Sequence, residues 1–220
     1  MARYLILGAG KFGRLALERL GKEDQEAAFL VVDRNPQALQ EARGLTGVLV
    51  DVVAAEAAAF LAARLQNGAA WDWLIPAVPE HVVFSWLRHG PLAGTDWEPV
   101  AVPPELAGLT LVADRGREGE LYLSRALHLC PDDCSEPQVC PVTGEARETA
   151  LYQELADLDV LGYTIAVISS SQLAPGVGGF APGRLLALAR DLAGREGKIL
   201  LATACRCHGV VHGVQRRAGG

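Results

Sequence analysis

The first 33 residues constrain this chain more than any other stretch. Residues 1–7 form a short apolar run, and Gly8-Ala9-Gly10-Lys11-Phe12-Gly13 follows it directly. A helical pattern (Phe12, Leu15, Ala16, Leu20) comes next, then a second apolar run, 29–32, that stops at Asp33. This is the order of parts in a βαβ unit that holds a dinucleotide. Gly8 permits the tight strand-to-helix turn, Gly10 lets backbone N–H groups approach a pyrophosphate, and Gly13 lets helix and strand pack closely. Lys11 and Phe12 lie in the first helical turn, whose partial positive charge faces the phosphates. Asp33, 20 residues beyond Gly13, stands where a carboxylate can accept hydrogen bonds from an adenosine ribose. That carboxylate would repel a 2′-phosphate, so NAD is expected over NADP, although Arg34 beside it offers a guanidinium to such a phosphate. GxGxxG alone is weak evidence. Here a strand precedes it, a helix follows, and an acidic residue closes the unit at the right distance.

At 220 residues, the chain is long enough for one large α/β domain, or for one domain with a smaller insertion. No apolar run reaches the roughly 18 residues that cross a bilayer. A strand is expected within the first few residues, so no leader is expected. Net charge is −6, which argues against a nucleic-acid surface, because phosphate binding needs clustered Lys and Arg. The expectation is a cytoplasmic protein with no membrane span. The final residues, Gln215 to Gly220, read as a frayed basic tail.

Apolar runs and helical patterns alternate from the start, as in a doubly wound, mainly parallel Rossmann-like sheet. Strands are predicted near 3–7, 29–32, 47–50, 73–77 and 109–113. Helices are predicted near 11–20, 36–42, 54–65 and 80–87. Asn35 before Pro36 is an expected N-cap followed by Pro at the first helical position. The pattern lapses from Asp114 and returns with a short helix at 148–158. A strand at 164–168, a loop through Pro175-Gly176-Val177-Gly178-Gly179, a helix at 182–193 and a strand at 198–202 then form another βαβ unit. The domain reading is therefore a Rossmann core over 1–113, a small Cys-containing insertion over 114–160, and a C-terminal βαβ over 161–220 that completes the same sheet. In such a sheet the loops after the strands share one edge. That edge should hold the first glycine turn, Asp33, Asp51, residues 76–79, 169–179 and Cys205-Arg206-Cys207-His208.

All five cysteines fall in two clusters, Cys130-x3-Cys134-x5-Cys140 and Cys205-x-Cys207. In a cytosolic protein such clustering favours metal ligation or redox chemistry over structural disulfides. Three thiolates from the insertion and one from the C-terminal pair would complete the four ligands of a zinc ion or an iron–sulfur cluster. A cluster beside a nicotinamide would have an electron to exchange, which leans towards iron and sulfur. Zinc, a redox-active thiol pair and a loop-tying disulfide stay open. Glu80 and His81, after the fourth strand, are the candidates for acid–base catalysis. Glu80 is equally explained as a favourable charge in a first helical turn. Ser169-Ser170-Ser171 and the following loop either present N–H groups to an anion or form a tight turn. His89 and His128 show no partner in the sequence and read as ordinary surface or packing residues.

Leu5-Ile6-Leu7-Gly8-Ala9-Gly10-Lys11-Phe12-Gly13 and Val31-Val32-Asp33-Arg34-Asn35-Pro36 resemble the TrkA-N (RCK-type) NAD-binding domain of potassium-transport regulators. The resemblance covers about the first 80 residues and implies a Rossmann fold and bound NAD. It also implies that Asp51 is the acidic residue near the adenosine. Val50 stands where that family usually has Gly, and the cysteine clusters have no place in its pattern. Saccharopine-dehydrogenase-like proteins share the same opening, so enzyme and sensor both remain open. The expected function is NAD(H)-dependent redox chemistry with a Cys-ligated centre near the cofactor, acting on a small molecule or a redox partner, in a protein that can be a homo-oligomer. The alternative is a non-enzymatic nucleotide or redox sensor with structural zinc.

Overall fold

The computed structural model describes residues 1–45, 47–65 and 70–217. The last three residues of the expected basic tail lie outside them. The chain is α/β and divides into two units, Met1–Ala93 with Ser171–Ala189, and Gly94–Ser170 with Arg190–Gly220.

The first unit is built on a parallel sheet of order β3-β2-β1-β4, the Rossmann-like arrangement expected. Its strands are β1 (Arg3–Leu7), β2 (Ala28–Asp33), β3 (Leu49–Ala54) and β4 (Trp73–Pro76). Leu5 pairs with Leu30 on one side and with Leu74 on the other. Tyr4 to Leu7 are all buried, which is why β1 reads as a continuous apolar run. Tyr4 and Ile6 join a core with Ala16, Leu17 and Leu20 of α1 (Lys11–Glu23) and Leu39 of α2 (Pro36–Arg43). Tyr4 stacks on Phe29 with ring centroids 5.1 Å apart. Asn35 caps α2 as expected, accepting from the N–H groups of Gln37 and Ala38. Helices α3 (Ala57–Arg64) and α4 (Val82–His89) pack on each other.

The loop expected at 175–179 is a hairpin turn instead. β9 (Ser171–Ala174) and β10 (Val177–Gly179) pair antiparallel, with Gly176 at φ +67° in the turn. Phe180 then bridges Leu74, with N–H···O bonds of 2.9 and 3.0 Å in the two directions. The edge of β4 is thereby paired by the segment that follows β10. A Cβ at Gly179 would lie 2.9 Å from Leu74 O, so this approach needs glycine.

That pairing explains a correction to the expected topology. The C-terminal strands do not complete the first sheet. β8 (Tyr163–Ser169) and β11 (Lys198–Ala204) pair in parallel, with α6 (Pro182–Ala193) between them in the chain, but they belong to a second sheet of order β6-β7-β12-β11-β8. β12 (His208–Arg216), whose last two residues fall in the stretch expected as a tail, runs antiparallel to the whole of β11. Its other side pairs with β7 (Leu121–Ser124) through Val211 and with β5 (Trp97–Val100) from Gly213. The strand expected at 109–113 is a 3-10 helix over Pro104–Leu109, followed by β6 (Val112–Arg115). Pro103 and Pro104 fix two successive φ angles and start that turn. Helix α5 (Leu151–Asp157) sets Leu151 and Leu155 into the core of this unit with Leu121, Leu200 and Val211. The 114–160 stretch is thus no free insertion, because it supplies β7 and α5 to the second unit's sheet and core. Among the described residues no helix is long and apolar enough to cross a membrane.

Candidate functional site

In the first unit, β1 ends where its backbone must turn sharply into α1. Gly8 makes that turn at φ +105°, and its N–H donates to Val32 O at 2.7 Å. A Cβ on Gly8 would lie 2.6 Å from Ala77 O, and one on Gly13 only 1.9 Å from Gly8 O. Both glycines are therefore required by the fold itself. Gly10 differs. A Cβ there would have nothing within 4 Å, and no side chain caps the helix that Gly10 begins. Lys11 and Phe12 open that helix; Phe12 is exposed, with the Lys11 ammonium 5.5 Å from its ring centroid.

Asp33 closes β2 and binds the glycine turn. Its Oδ2 accepts from Ala9 N at 2.7 Å and its Oδ1 from Asn35 N at 2.8 Å. A cavity of about 330 Å³ beside it is lined by Val32, Asp33, Arg34, Glu56, Val78 and Glu80, among others. Asp51 is not among its lining residues. It lies within β3 opposite Leu30, exposed, three residues before the strand ends at Ala54. The carboxylate at that end belongs to Glu56, which the sequence reading did not single out. Glu56 caps α3, accepting from Ala58 N and Ala59 N at 2.9 and 2.7 Å. Glu80 accepts from Ser85 Oγ at 2.9 Å, and His81 is buried at the N-cap of α4. Glu80 is thus tied to the first turns of that helix, while His81 precedes it with no side-chain cap bond.

The five cysteines all lie in the second unit, on the stretch between β7 and α5 and in the turn from β11 to β12. The structure pairs a cysteine of the first cluster with each of two histidines, one of which follows the second cluster. His208 Nε2 lies 3.7 Å from Cys130 Sγ, while its Nδ1 lies 3.9 Å from Cys205 Sγ. His128, read from sequence as a bystander, has Nε2 3.9 Å from Cys140 Sγ. One main-chain bond and two bonds between side chain and main chain lock the arrangement. Arg125 N donates to Cys207 O at 2.9 Å, Arg206 N to Glu136 Oε2 at 3.2 Å, and Arg206 Nη1 to Arg147 O at 2.9 Å.

Two turns point N–H groups at sulfur. In Cys140-Pro-Val-Thr-Gly, closed by Gly144 N to Cys140 O at 2.8 Å, the N–H and hydroxyl of Thr143 and the N–H of Val142 hold the Cys140 thiol down at about 6. In the β11–β12 turn, His208 N donates to Cys205 Sγ at 3.4 Å. Burial, then the Glu136 carboxylate, nevertheless pushes the Cys205 thiol up to about 12. Burial also raises Cys130, and the neighbouring Cys134 and Cys140 raise it further. Burial raises Cys207 as well, against the pull of Arg147.

These donors suit a thiophilic metal. Zinc at about 2.3 Å from sulfur and 2.0–2.1 Å from nitrogen implies a tetrahedral S···N edge of about 3.5 Å. The observed Cys130–His208 separation is close to that edge. Among the described residues no three such side chains converge as a group that could hold a metal ion.

Comparison with known proteins accounts for both halves of the chain. Residues 4–78 match the TrkA-N domain, a Rossmann-type NAD(P)-binding or regulatory module. Residues 70–217 match a family model described as "Uncharacterized protein, C-terminal domain". An uncharacterized protein of Archaeoglobus fulgidus is 31% identical over 223 residues, which cover 96% of this chain and 99% of that protein. All five cysteines, His128 and His208 fall inside the C-terminal match. The chain therefore belongs to the family defined by that C-terminal domain, and its residues 4–78 are similar to the TrkA-N domain.

Proposed function

We propose that this protein binds NAD(H) in its first unit and responds to the nucleotide as a sensor, with a Cys-ligated metal centre in its second unit. The observation that carries the nucleotide reading is the contrast among the three motif glycines. Gly8 and Gly13 are pinned by backbone contacts, whereas the Gly10 Cβ direction is open at an uncapped helix N-terminus. That is the surface a pyrophosphate needs. NAD is favoured over NADP because Asp33, Glu56 and Glu80 line one cavity. A 2′-phosphate would meet three carboxylates there, and Arg34 alone does not offset them. Sensing is favoured over catalysis because Glu80 holds the Ser85 hydroxyl of α4 and His81 is buried at the start of that helix. Calorimetric titration with NAD+, NADH, NADP+ and NADPH tests the reading. Binding of NAD+ or NADH at least tenfold tighter than the phosphorylated forms is expected, together with a changed limited-proteolysis pattern on binding. Tighter NADP(H) binding, or no binding of any of the four, overturns it.

A second reading, NAD-dependent oxidoreduction, is favoured by one observation. Cys140, with its thiol near 6, is a thiolate at neutral pH and so a competent nucleophile. The Cys140 thiolate would attack a disulfide of a small molecule or protein partner, forming a mixed disulfide and releasing one thiol. A neighbouring cysteine would release the second thiol as an intrachain disulfide forms. NADH with a proton, acting through a hydride carrier of the flavin class, would return that disulfide to two thiols and leave NAD+. Loss of NADH absorbance with disulfide substrates, abolished by Cys140→Ser, distinguishes it from sensing.

A further inference from the structure

The metal centre can be made specific, and this step rests on the Cys-ligated reading above but not on nucleotide binding. We propose that one zinc ion is held by Cys130, Cys134 and Cys140 and by Nε2 of His208, with Cys205 orienting the imidazole. The two ring nitrogens of His208 face different thiols. Nε2 looks towards Cys130 at 3.7 Å, on the stretch that also carries Cys134 and Cys140. Nδ1 looks towards Cys205 at 3.9 Å, and the His208 main-chain N–H also donates to that sulfur. A metal-bound histidine almost always has its second nitrogen held by an outer partner that fixes the ring. Cys205 occupies that outer position, which separates it from the three thiols on the other side.

The local chain supports the same division. Cys130 and Cys134 are joined by a tight turn, with Cys134 N donating to Pro131 O at 3.1 Å. Both Cys134 and Cys140 stand near enough for their charges to act on Cys130. Cys140 sits in a turn whose N–H groups face its sulfur, the arrangement that stabilises a metal-bound thiolate. Three thiolates and one imidazole form a closed structural zinc set. Iron–sulfur clusters of the common types take thiolates at all four corners, which the position of His208 disfavours.

The stretch also needs such a tie. Leu127, Leu129 and Val139 are 77, 97 and 53% exposed, so it has little core of its own. Binding energy for zinc would then appear as order in residues 125–147, clasped to the β11–β12 turn.

The test uses the full chain, purified with zinc present, with metal measured by mass spectrometry and affinity by competition with a chromophoric chelator. One zinc per chain is expected. Cys130→Ser, Cys134→Ser, Cys140→Ser and His208→Gln should each bind zinc at least 100-fold more weakly and expose 125–147 to protease. Cys205→Ala should keep one zinc at saturation with affinity about 10- to 100-fold lower. Cys207→Ser should match the wild type. Cobalt(II) in the wild type should give tetrahedral d–d bands and thiolate charge transfer, a readout that needs no variant to fold. Loss of zinc in Cys207→Ser with full retention in His208→Gln overturns the ligand set. A brown protein containing iron and sulfide overturns zinc. A wild type that binds neither zinc nor cobalt overturns the metal centre altogether. Calorimetry of NADH binding on the same samples reports separately on the nucleotide reading.

Discussion

The three glycines of the first turn make different demands, and paired substitutions should separate folding from binding. At Gly13 a Cβ would sit 1.9 Å from the carbonyl oxygen of Gly8, against both α1 and the end of β1. Ordinary contacts to carbon lie near 3.5 Å, so Gly13→Ala must displace helix or strand by about 1.5 Å. Overpacking of this kind costs about 1–3 kcal/mol, and the upper end applies because both atoms in collision belong to rigid backbone. At Gly10 the same Cβ meets nothing within 4 Å, and φ of −72° suits any side chain. Gly10→Val should therefore change stability by less than about 1 kcal/mol. Its branched side chain would instead fill the space over the α1 N-terminus. Hydrogen bonds to a charged group contribute about 1.5–3 kcal/mol each, so losing two to a pyrophosphate weakens binding by about 3–6 kcal/mol, or 10²- to 10⁴-fold. Urea denaturation and calorimetry with NADH measure the two effects independently. An unchanged Kd in folded Gly10→Val refutes the pyrophosphate assignment, and a Gly13→Ala protein as stable as the wild type refutes the close-packing argument.

Asp33→Ala should lose about 2–4 kcal/mol of stability, because two N–H groups lose a charged acceptor. It should also narrow the preference for NADH over NADPH; an unchanged ratio of the two dissociation constants places the ribose elsewhere. In metal-free protein, alkylation of Cys140 by iodoacetamide should reach half its maximal rate near pH 6, because the thiolate forms above the depressed value and is lost as pH falls through it. Thr143→Val removes the hydroxyl donor and should move that half-point upward; a wild-type half-point above pH 8 contradicts the N–H···S geometry. Gly213→Ala places a Cβ 2.6 Å from Val100 O. It should destabilise the second unit by about 1–3 kcal/mol, read as earlier loss of protection in 208–216 by hydrogen exchange.

The first unit was legible because each of its signals is local. An apolar run, a glycine turn, an N-cap at Asn35 and an acidic strand end all lie within a few residues of the groups they act on. The second unit was not, for reasons visible in β12. Gly209 and Gly213 interrupt its apolar alternation, and they are glycine because neighbouring strands press close. The Gly213 Cβ direction points at Val100 O, and that of Gly209 at Ala204 Cβ, 3.1 Å away. A strand whose pairing depends on missing side chains lacks the pattern by which strands are read. Without a strand legible over 208–216, β8 and β11 have no visible partner except the first sheet. The sheet edge they were expected to join is instead paired by Phe180, through a hairpin that glycine-rich sequence had disguised as a loop.

The cysteine site shows the same limit in a sharper form. The spacing of Cys130, Cys134 and Cys140 marks a donor set, and Cys205-x-Cys207 marks another. Nothing within either cluster says which atom of the second faces the first. The decisive contact joins residues 78 apart in sequence, and it follows from the β11–β12 turn. Cys205 N donates to His208 O at 2.9 Å, which closes the turn and sets the start of β12. The same closure holds the imidazole between Cys205 and Cys130. Arg206, between the two cysteines, meanwhile holds Arg147 O and receives the Glu136 carboxylate on its N–H. Four consecutive residues thus fix a strand register, clasp a poorly packed stretch and present a donor nitrogen. Substitution of Arg206 by Met should therefore loosen 136–147 and weaken zinc binding together, although the arginine touches no metal. Loosening with unchanged zinc affinity would show that the stretch is organised by the metal alone, and that the clasp is incidental.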